Sequence, residues 1–207
     1  MKFERTHVYN FEEALYGMRL PLMSHAKSDS VSCMLAECGE CPFNDESHDQ
    51  CRMTDYIIGP NDMDLCQRLI SAGPEHRKFL RQISVAVTIT APLYWWKEYD
   101  TYKVGTVANS SSTMHKLAST PITLECFEVD DFDPEIEDPA AIIDQCEYYR
   151  QKYLETKDKR YWKALVRWLS NGWLQTRTLS LNYENLRSMY FQRKSHKLIE
   201  WHTFCDW

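Results

Sequence analysis

A polar segment between Tyr102 and His115 carries the residue types that bind a flat heterocycle with a phosphate. The segment reads Tyr-Lys-Val-Gly-Thr-Val-Ala-Asn-Ser-Ser-Ser-Thr-Met-His and follows a run rich in aromatic residues. Planar apolar rings can sandwich a heterocycle, and Lys103, Asn109 and the hydroxyls of Ser110 to Thr113 can donate to phosphate or ring heteroatoms. A second polar cluster near the C-terminus contains Asn182, Arg187, Arg193, His196 and Glu200. Together they indicate a site for a nucleotide-like ligand; the alternative is an ordinary polar loop and a basic surface helix.

Four cysteines in a polar stretch have a spacing typical of metal ligands. Cys33, Cys38, Cys41 and Cys51 form the pattern C-x4-C-x2-C-x9-C, within a loop module that we place at residues 30–55. Cys38 and Cys41 flank a tight turn that puts two thiolates on one side, as a tetrahedral metal needs. Four thiolates suit Zn²⁺ or, alternatively, an iron–sulfur cluster, and His48 is a substitute ligand. The simpler alternative is four reduced cysteines in a loop.

The composition restricts the class of protein. The chain has 207 residues, 43% of them hydrophobic and 26% charged, which is typical of a globular protein. The net charge of −6 disfavours a general nucleic-acid binder, which normally carries a basic face. There is no apolar run long enough for a membrane span and no signal-peptide pattern at the start. We therefore expect a cytoplasmic protein that binds neither nucleic acid nor membrane, with cysteines as thiols or metal ligands rather than disulfides.

Hydrophobic spacing predicts the elements of the first half. Apolar residues at helical spacing predict a helix over residues 8–20, and a second helix begins at Asn61 or Asp62 and ends before Gly73 and Pro74. Strict alternation over residues 83–90 predicts a half-buried strand. Pro92 is well suited to the first turn of a helix that runs to about residue 100.

The second half is predicted to be mainly helical. A strand at residues 122–127 lies in an acidic connection spanning 117–138, whose carboxylates are solvated or, alternatively, bind a metal. Helices follow from Asp138-Pro139, over 161–169 and over 183–204, with an extended piece at 176–181 between the last two. These elements indicate an α+β fold in a single domain over residues 1–207.

Further motifs resemble the flavin-dependent thymidylate synthases, the ThyX family. Gly73-Pro74-Glu75-His76 is similar to the family's Pro-x-Glu-His-like element before a strand. Asn109 and Ser112 match the Asn and a Ser of its signature Arg-His-Arg-x-x-Ser-x-Asn-x-x-Ser-x-Arg-Tyr. Asn182 and Arg193 keep the family's separation of eleven residues, and Ser195, His196 and Glu200 match its closing motif Ser-His-Ala-Gln-x-Glu-Ile. The resemblance spans Tyr56 to Phe204, outside the cysteine module.

The chain departs from the family mainly in the central signature. With Asn109 and Ser112 as anchors, Tyr102, Lys103 and Val104 replace Arg-His-Arg. A frame shifted by one residue places Lys103 on the third basic position and Thr106 on the first Ser, but loses the Asn. In either frame at most one of three cations remains, and Ser188 stands where the family has a second Asn.

The resemblance implies a fold, a reaction and a set of site residues. The implied fold is an antiparallel sheet flanked by helices, with long C-terminal helices. The implied reaction is the reductive methylation of dUMP, or a related C5 modification, with reduced FAD, methylenetetrahydrofolate and NADPH in a homotetramer. It assigns FAD to His76, Lys103, Asn109, Asn182 and Ser188, and the nucleotide to Ser111, Ser112, Thr113 and Arg193. The alternative is a catalytically silent ThyX-like protein, stapled by a metal, that binds a nucleotide or a protein.

Overall fold

The computed structural model describes residues 1–32, 56–130 and 132–207. The strands in these ranges are β1 (Lys2–Tyr9), β2 (Val31–Ser32), β3 (Tyr56–Ile57), β4 (Ser84–Pro92), β5 (Val107–Ser110) and β6 (Leu174–Asn182). The helices are α1 (Phe11–Arg19), α2 (Pro60–Ala72), α3 (Leu93–Tyr99), α4 (Thr113–Lys116), α5 (Ala140–Thr156), α6 (Lys159–Trp168), α7 (Tyr183–Arg193) and α8 (Ile199–Asp206). Within the described ranges, none of the helices has the length and apolar character that crossing a bilayer requires.

The chain divides into two compact units. The first contains Met1–His7, Val85–Leu181 and Asn185–Trp207, and the second contains Val8–Ser84 and Asn182–Glu184. A single domain over residues 1–207 therefore stays a prediction. Most of the expected cysteine module, residues 33–55, lies outside the residues that the structure describes.

The first unit is built on an antiparallel sheet with the strand order β1-β4-β6-β5. The alternation predicted for residues 83–90 is confirmed, because Val85, Val87 and Ile89 are buried in β4 while the residues between them are partly exposed. The partly exposed face carries hydroxyls, and Thr88 pairs with Thr178 of β6 at 3.0 Å between oxygens. β5 runs antiparallel to β6, with Asn109 opposite Thr178. Because β5 is the last strand in the sheet order, it is an edge strand.

Aromatic residues of α3 and α8 form the core beside this sheet. Trp95, Trp96 and Trp201 are fully buried, and the Trp95 ring centroid lies 4.8 Å from that of Trp96 and 4.9 Å from that of Trp201. The Trp96 indole N–H donates to the carbonyl of Gln175 in β6 at 2.9 Å. Most of the aromatic run before residue 102 is therefore core rather than a surface for a heterocycle.

A second core of the first unit lies at the α5–α6 hairpin. It contains the buried residues Leu117, Ile122, Phe127, Cys146 and Leu165. The strand expected at residues 122–127 is wrong: Leu124–Cys126 is a 3₁₀ turn, and only Phe127 forms an isolated bridge, to Trp173. The reason is local, since the N–H groups of Cys126 and Phe127 donate to carbonyls three residues earlier and are already satisfied.

The second unit packs α1 against α2 and the 3₁₀ turn at Lys78–Arg81. Its buried core consists of Ala14, Leu15, Met18, Cys66, Phe79, Leu80 and Ile83. Arg19 and Asp62 form a buried ion pair with 2.5 Å between Nε and Oδ1 and side chains 5% and 1% exposed. The hydroxyls of Ser28 and Ser30 also donate to Asp62. Burial raises the pKa of Asp62, but these donors outweigh it and hold the pKa below its ordinary value.

Several predicted boundaries shift. Val8 belongs to β1, and α1 starts at Phe11 because Asn10 adopts a left-handed conformation with φ of 65°. α2 starts at Pro60, and Asp29 caps it from outside by accepting from the N–H groups of residues 61 and 62. The helical segment expected over 183–204 is two helices. The break lies between Arg193 and Ile199, where the Nδ1 atom of His196 accepts from the N–H of Leu198 at 3.2 Å.

Candidate functional site

Arg193, at the end of α7, is held by three groups of the first unit. Its Nη1 lies 2.8 Å from Glu98 Oε2, and its Nε donates to the Tyr102 hydroxyl at 2.8 Å. The guanidinium carbon lies 4.7 Å from the Trp201 ring centroid, which is a cation–π distance. The Arg193 side chain is only 19% exposed. The predicted substrate residue is therefore a positioned, partly desolvated cation rather than a mobile surface charge.

Glu98 in α3 lies at the centre of this cluster, because one of its oxygens accepts from three donors. Besides Arg193, the Trp201 indole N–H donates to Oε2 at 2.9 Å and His196 Nε2 lies 3.2 Å away. The N–H of Leu198 donates to His196 Nδ1, so the proton of the ring is on Nε2, facing Glu98. An arginine, an indole N–H and an imidazole N–H thus converge on one point, which is a set of donors suited to an anion.

A hydrogen-bond chain connects Arg193 to Ser188. The Tyr102 hydroxyl, which accepts from Arg193, donates to Gln192 Oε1 at 3.0 Å. The Gln192 amide then donates to Ser188 Oγ at 3.0 Å. Because its oxygen accepts from Gln192, the Ser188 hydroxyl remains a donor for another group. Two predicted site residues, Ser188 and Arg193, therefore belong to one network on α7.

The segment after Tyr102 lies along the same helix. The Asn185 amide of α7 donates to the carbonyl of Val104 at 2.8 Å. Lys103 is exposed and makes no hydrogen bond or ion pair with any residue in the described ranges. Asn109 is exposed in β5, four residues beyond Gly105, whose φ of 76° turns the chain. Lys103 and Asn109 are accessible to a ligand, but their side chains are not held in place.

Two of the three predicted hydroxyl residues 111–113 have structural partners. The Ser111 hydroxyl accepts from the N–H of Thr176 at 3.3 Å, and its own N–H donates to Thr176 at 2.8 Å. Ser112 caps α4, its hydroxyl accepting from the N–H of His115 at 3.1 Å. Thr113 is the first residue of that helix. Ser111 and Ser112 thus fix the backbone, and the roles of all three towards a nucleotide stay predictions.

His76 and Asn182 belong to the second unit. His76 is exposed in the turn after α2, and its N–H donates to the carbonyl of Gly73 at 3.0 Å. Asn182 is the last residue of β6. The second unit also contains an ion pair that the sequence did not reveal. Arg77 makes a bidentate contact with Glu184, with distances of 2.8–3.0 Å. The common pocket expected for His76, Asn109, Asn182 and Arg193 stays a prediction, because these residues are divided between the two units.

The candidate metal ligands Cys33, Cys38, Cys41 and Cys51, and the substitute His48, lie outside the described residues. Among the residues that the structure describes, no group of three or more His, Cys, Asp or Glu side chains is placed to hold a metal ion. The described carboxylates of the acidic connection therefore do not form a metal-binding group either. The metal site therefore rests on the cysteine spacing.

Sequence reasoning missed Glu98 and Trp201 as members of the site. Glu98 stands in a run rich in aromatic residues and Trp201 is itself a large apolar residue, so both fit a hydrophobic pattern. The available signal is charge: Glu98 is an acid four residues before Tyr102 on a helix that is otherwise mostly aromatic. Glu200, a member of the predicted C-terminal polar cluster, is buried at 5% exposure and accepts from the Tyr94 hydroxyl.

The whole architecture matches that of solved structures. A crystal structure of thymidylate synthase X (ThyX) from Helicobacter pylori with FAD and dUMP aligns with a TM-score of 0.70 and 15% sequence identity, covering 100% of this chain and 90% of that one. The chain has the ThyX fold. A second crystal structure of ThyX from the same organism, also complexed with FAD and dUMP, gives a TM-score of 0.67 at 14% identity, with 100% and 91% of the two chains covered.

The match to ThyX is one of structure and not of sequence. No protein-family model matches the sequence, and no curated protein matches it significantly. The fold class expected from the resemblance, an antiparallel sheet flanked by helices, is confirmed. At this level of identity the ThyX fold says nothing about individual side chains. What the site can do must follow from the donors around Arg193.

Proposed function

We propose that this protein is a flavin-dependent, ThyX-like enzyme that binds a pyrimidine deoxynucleotide, dUMP or a related compound, next to Arg193. The observation that carries the proposal is the convergence of Arg193, Trp201 and His196 on the Glu98 carboxylate. Such a set of donors is suited to a phosphate oxygen or to the carbonyl edge of a pyrimidine. The fold supports it, since the two H. pylori ThyX structures are described with FAD and dUMP.

In this proposal Glu98 is an internal substitute for the ligand. A nucleotide takes over the Arg193 donors only when the Glu98 carboxylate turns away, because two anions at one site repel each other. Glu98 is 33% exposed, so it can move towards solvent without being buried elsewhere. Arg193 then orients the nucleotide, while Tyr102 and Trp201 keep the guanidinium in place.

The residues available to hold FAD are donors of the expected kind. Lys103 can neutralise a diphosphate, and the Asn109 and Asn182 amides and the Ser188 hydroxyl can donate to phosphate or ring atoms. Bound FAD would supply hydride transfer, and methylenetetrahydrofolate the carbon, for a reductive C5 modification. NADPH is the proposed reductant, and a homo-oligomer, a tetramer by analogy, is the proposed assembly. The protein itself contributes binding, orientation and exclusion of water.

A second candidate is a catalytically silent ThyX-like protein, stapled by a metal, that binds a nucleotide or a protein. Two observations favour it. Lys103 is the single Lys or Arg between Tyr102 and His115, and Arg193 is already paired with Glu98. A protein that keeps the nucleotide site but has lost the flavin site would look the same in these two respects.

Absorbance and nucleotide titration separate the candidates. An oxidised-flavin band near about 450 nm in the purified or FAD-supplemented protein, together with dUMP binding, supports the enzyme. Colourless protein that binds dUMP supports the silent protein, and protein that binds neither contradicts the proposal. The site is tested with Arg193→Ala, which we expect to lose dUMP binding. Lys194→Ala removes the same charge from the next, exposed residue and should bind dUMP like the wild type. Equal affinity in both variants would remove Arg193 from the site.

A further inference from the structure

A cavity of the first unit has a lining that contains none of the residues of the Arg193 cluster. It has a volume of about 460 Å³, within the range of small-molecule sites. Four parts of the chain form it: the start of α3, the acidic connection before α5, the start of α5 and the turn before β6. None of the residues predicted for FAD or nucleotide lines this cavity.

Apolar atoms make up slightly more than half of the wall of the cavity. The apolar part is formed by Leu124, Phe127, Val129, Phe132, Ile142 and Ile143, and the Tyr94 side chain adds a third aromatic ring. Ile142 is 46% exposed, although it is the first isoleucine of a helix whose other face is buried. An exposed aliphatic and aromatic surface of this kind gains free energy when a ligand with an apolar body covers it.

Every charged group of the lining is a carboxylate. Glu128, Glu137 and Asp138 face the cavity, and no Lys, Arg or His lines it. The surrounding sequence strengthens this field, because residues 124–143 contain eight acidic residues and no Lys or Arg. Acidic groups beside a low-dielectric wall focus a negative potential into the cavity. An anionic or neutral ligand would gain nothing from it.

The three carboxylates differ in how far they are satisfied. The Glu128 side chain is 7% exposed; it accepts from the N–H of Asp130 at 3.2 Å, and the Met1 amine lies 3.5 Å away. Asp138 accepts from the N–H of Ala140 at 3.0 Å. Glu137 makes no side-chain hydrogen bond or ion pair with residues in the described ranges. Burial raises the pKa of Glu128, so its charged form would be stabilised by a further cation.

The frame of the cavity is fixed by backbone hydrogen bonds. The N–H of Glu128 donates to Gly172 at 2.8 Å, and Phe127 forms a bridge with Trp173. The N–H groups of Leu93 and Tyr94 donate to Trp173 and Asn171, each at 3.0 Å. The same turn therefore holds both the start of α3 and the acidic connection. A preformed site of this kind loses little conformational entropy on binding.

We propose that this cavity binds a small organic cation with an apolar body, such as an arylalkylammonium ion. The ring or alkyl group contacts the aromatic and aliphatic wall, and the ammonium group lies beside Glu128 and Glu137. An ammonium near aromatic faces also gains cation–π energy. This site is independent of the nucleotide site proposed at Arg193.

The test compares three ligands of one shape and different charge on the full chain. The probes are 2-phenylethylammonium, 2-phenylethanol and phenylacetate, titrated by isothermal calorimetry. We expect the cation to bind at least about tenfold more tightly than the alcohol, and phenylacetate not to bind. Equal affinity for the cation and the alcohol, or no binding of the cation, would overturn the proposal.

Three variants locate the cation. Glu128→Gln should weaken cation binding at least about fivefold without changing the affinity for the alcohol. Ile142→Trp fills the cavity from an exposed position and should abolish binding of both. Glu125→Gln removes a charge from the same connection but does not line the cavity, and should bind like the wild type. If Glu128→Gln fails to fold, Glu137→Gln replaces it, since Glu137 is exposed. Cation binding that survives Ile142→Trp in a folded protein would show that the site is elsewhere.

Discussion

The Nη1 atom of Arg193 lies 2.8 Å from Oε2 of Glu98, although 95 positions separate the two residues in the chain. The contact joins α3, the helix after β4, to α7, the helix after β6. It means that the cation proposed to bind a nucleotide already has an anion as a partner. Any ligand at Arg193 competes with Glu98.

Removing the charge of Glu98 should therefore increase nucleotide affinity. In Glu98→Gln the side chain keeps an oxygen for the Trp201 indole but no longer competes as an anion. We expect dUMP to bind roughly three- to tenfold more tightly, or about 1 kcal/mol, as measured by calorimetry. Glu125→Gln, an exposed acid of the same unit, is the matched control and should not change the affinity. An affinity in Glu98→Gln equal to or below that of the wild type would contradict the competition.

Breaking the Arg19–Asp62 pair should strongly destabilise the second unit. Asp62→Asn leaves the buried Arg19 charge without a counter-charge, and we expect a loss of about 3–5 kcal/mol in the free energy of unfolding. Asp64→Asn, two residues along α2, breaks a pair with Arg68 whose side chains are 66% and 68% exposed, and should cost less than about 1 kcal/mol. Urea titrations at pH 7 give both values. Similar losses in the two variants would contradict the importance of burial.

The acid stability of the first unit should depend on Glu147. Its bidentate contact with Arg150 and the N–H of Ile122 lower the pKa of Glu147 to about 2, from an ordinary value of 4.5. A depressed carboxyl pKa stabilises the fold above the unfolded-state value, and this contribution is lost as the pH falls through the folded-state value. We therefore expect Glu147→Gln to lose about 2 kcal/mol at pH 7 and to show a flatter stability curve between about pH 5 and pH 2.

Urea titrations of the wild type and Glu147→Gln across this pH range check the prediction. The two curves should converge at low pH, because protonation removes from the wild type what the substitution has already removed. Glu155→Gln breaks the exposed pair with Lys152 and should run parallel to the wild type. Parallel curves for Glu147→Gln would assign the acid sensitivity to other groups.

The cysteine spacing predicts a bound metal. We expect purified protein to contain about one zinc per chain, or iron if a cluster is bound, measured by elemental analysis. The double substitution Cys38→Ser, Cys41→Ser should remove the metal, whereas Cys126→Ser, a free thiol outside the module, should retain it. Metal-free wild-type protein, or metal retained in the double variant, would mean that these cysteines are not ligands.

The sequence predicted those parts of the fold that depend on local pattern. β4 was found because Val85, Val87 and Ile89 alternate with polar residues, and α5 because Asp138-Pro139 precedes a helical stripe. The strand expected at residues 122–127 failed because β-branched and apolar residues there satisfy their backbone in a local turn. β1 and β5 were missed, since their residues are mostly exposed and carry little alternation. The β-propensity of a segment is a weak guide at the edges of a sheet, because pairing with a distant strand decides whether the segment becomes a strand there.

By itself the sequence determined an α+β fold and its main helices, and it singled out Arg193 as a candidate site residue. Each follows from patterns of residues that are near one another in the chain. Only the tertiary structure decided the partners of Arg193, the burial of Asp62 with Arg19 and the acidic cavity beside α5. These depend on contacts between residues far apart in sequence, and a side chain's charge or polarity alone does not say which distant group it will face. Packing of the aromatic core brings Glu98 and Trp201 to Arg193, and no local pattern contains that information.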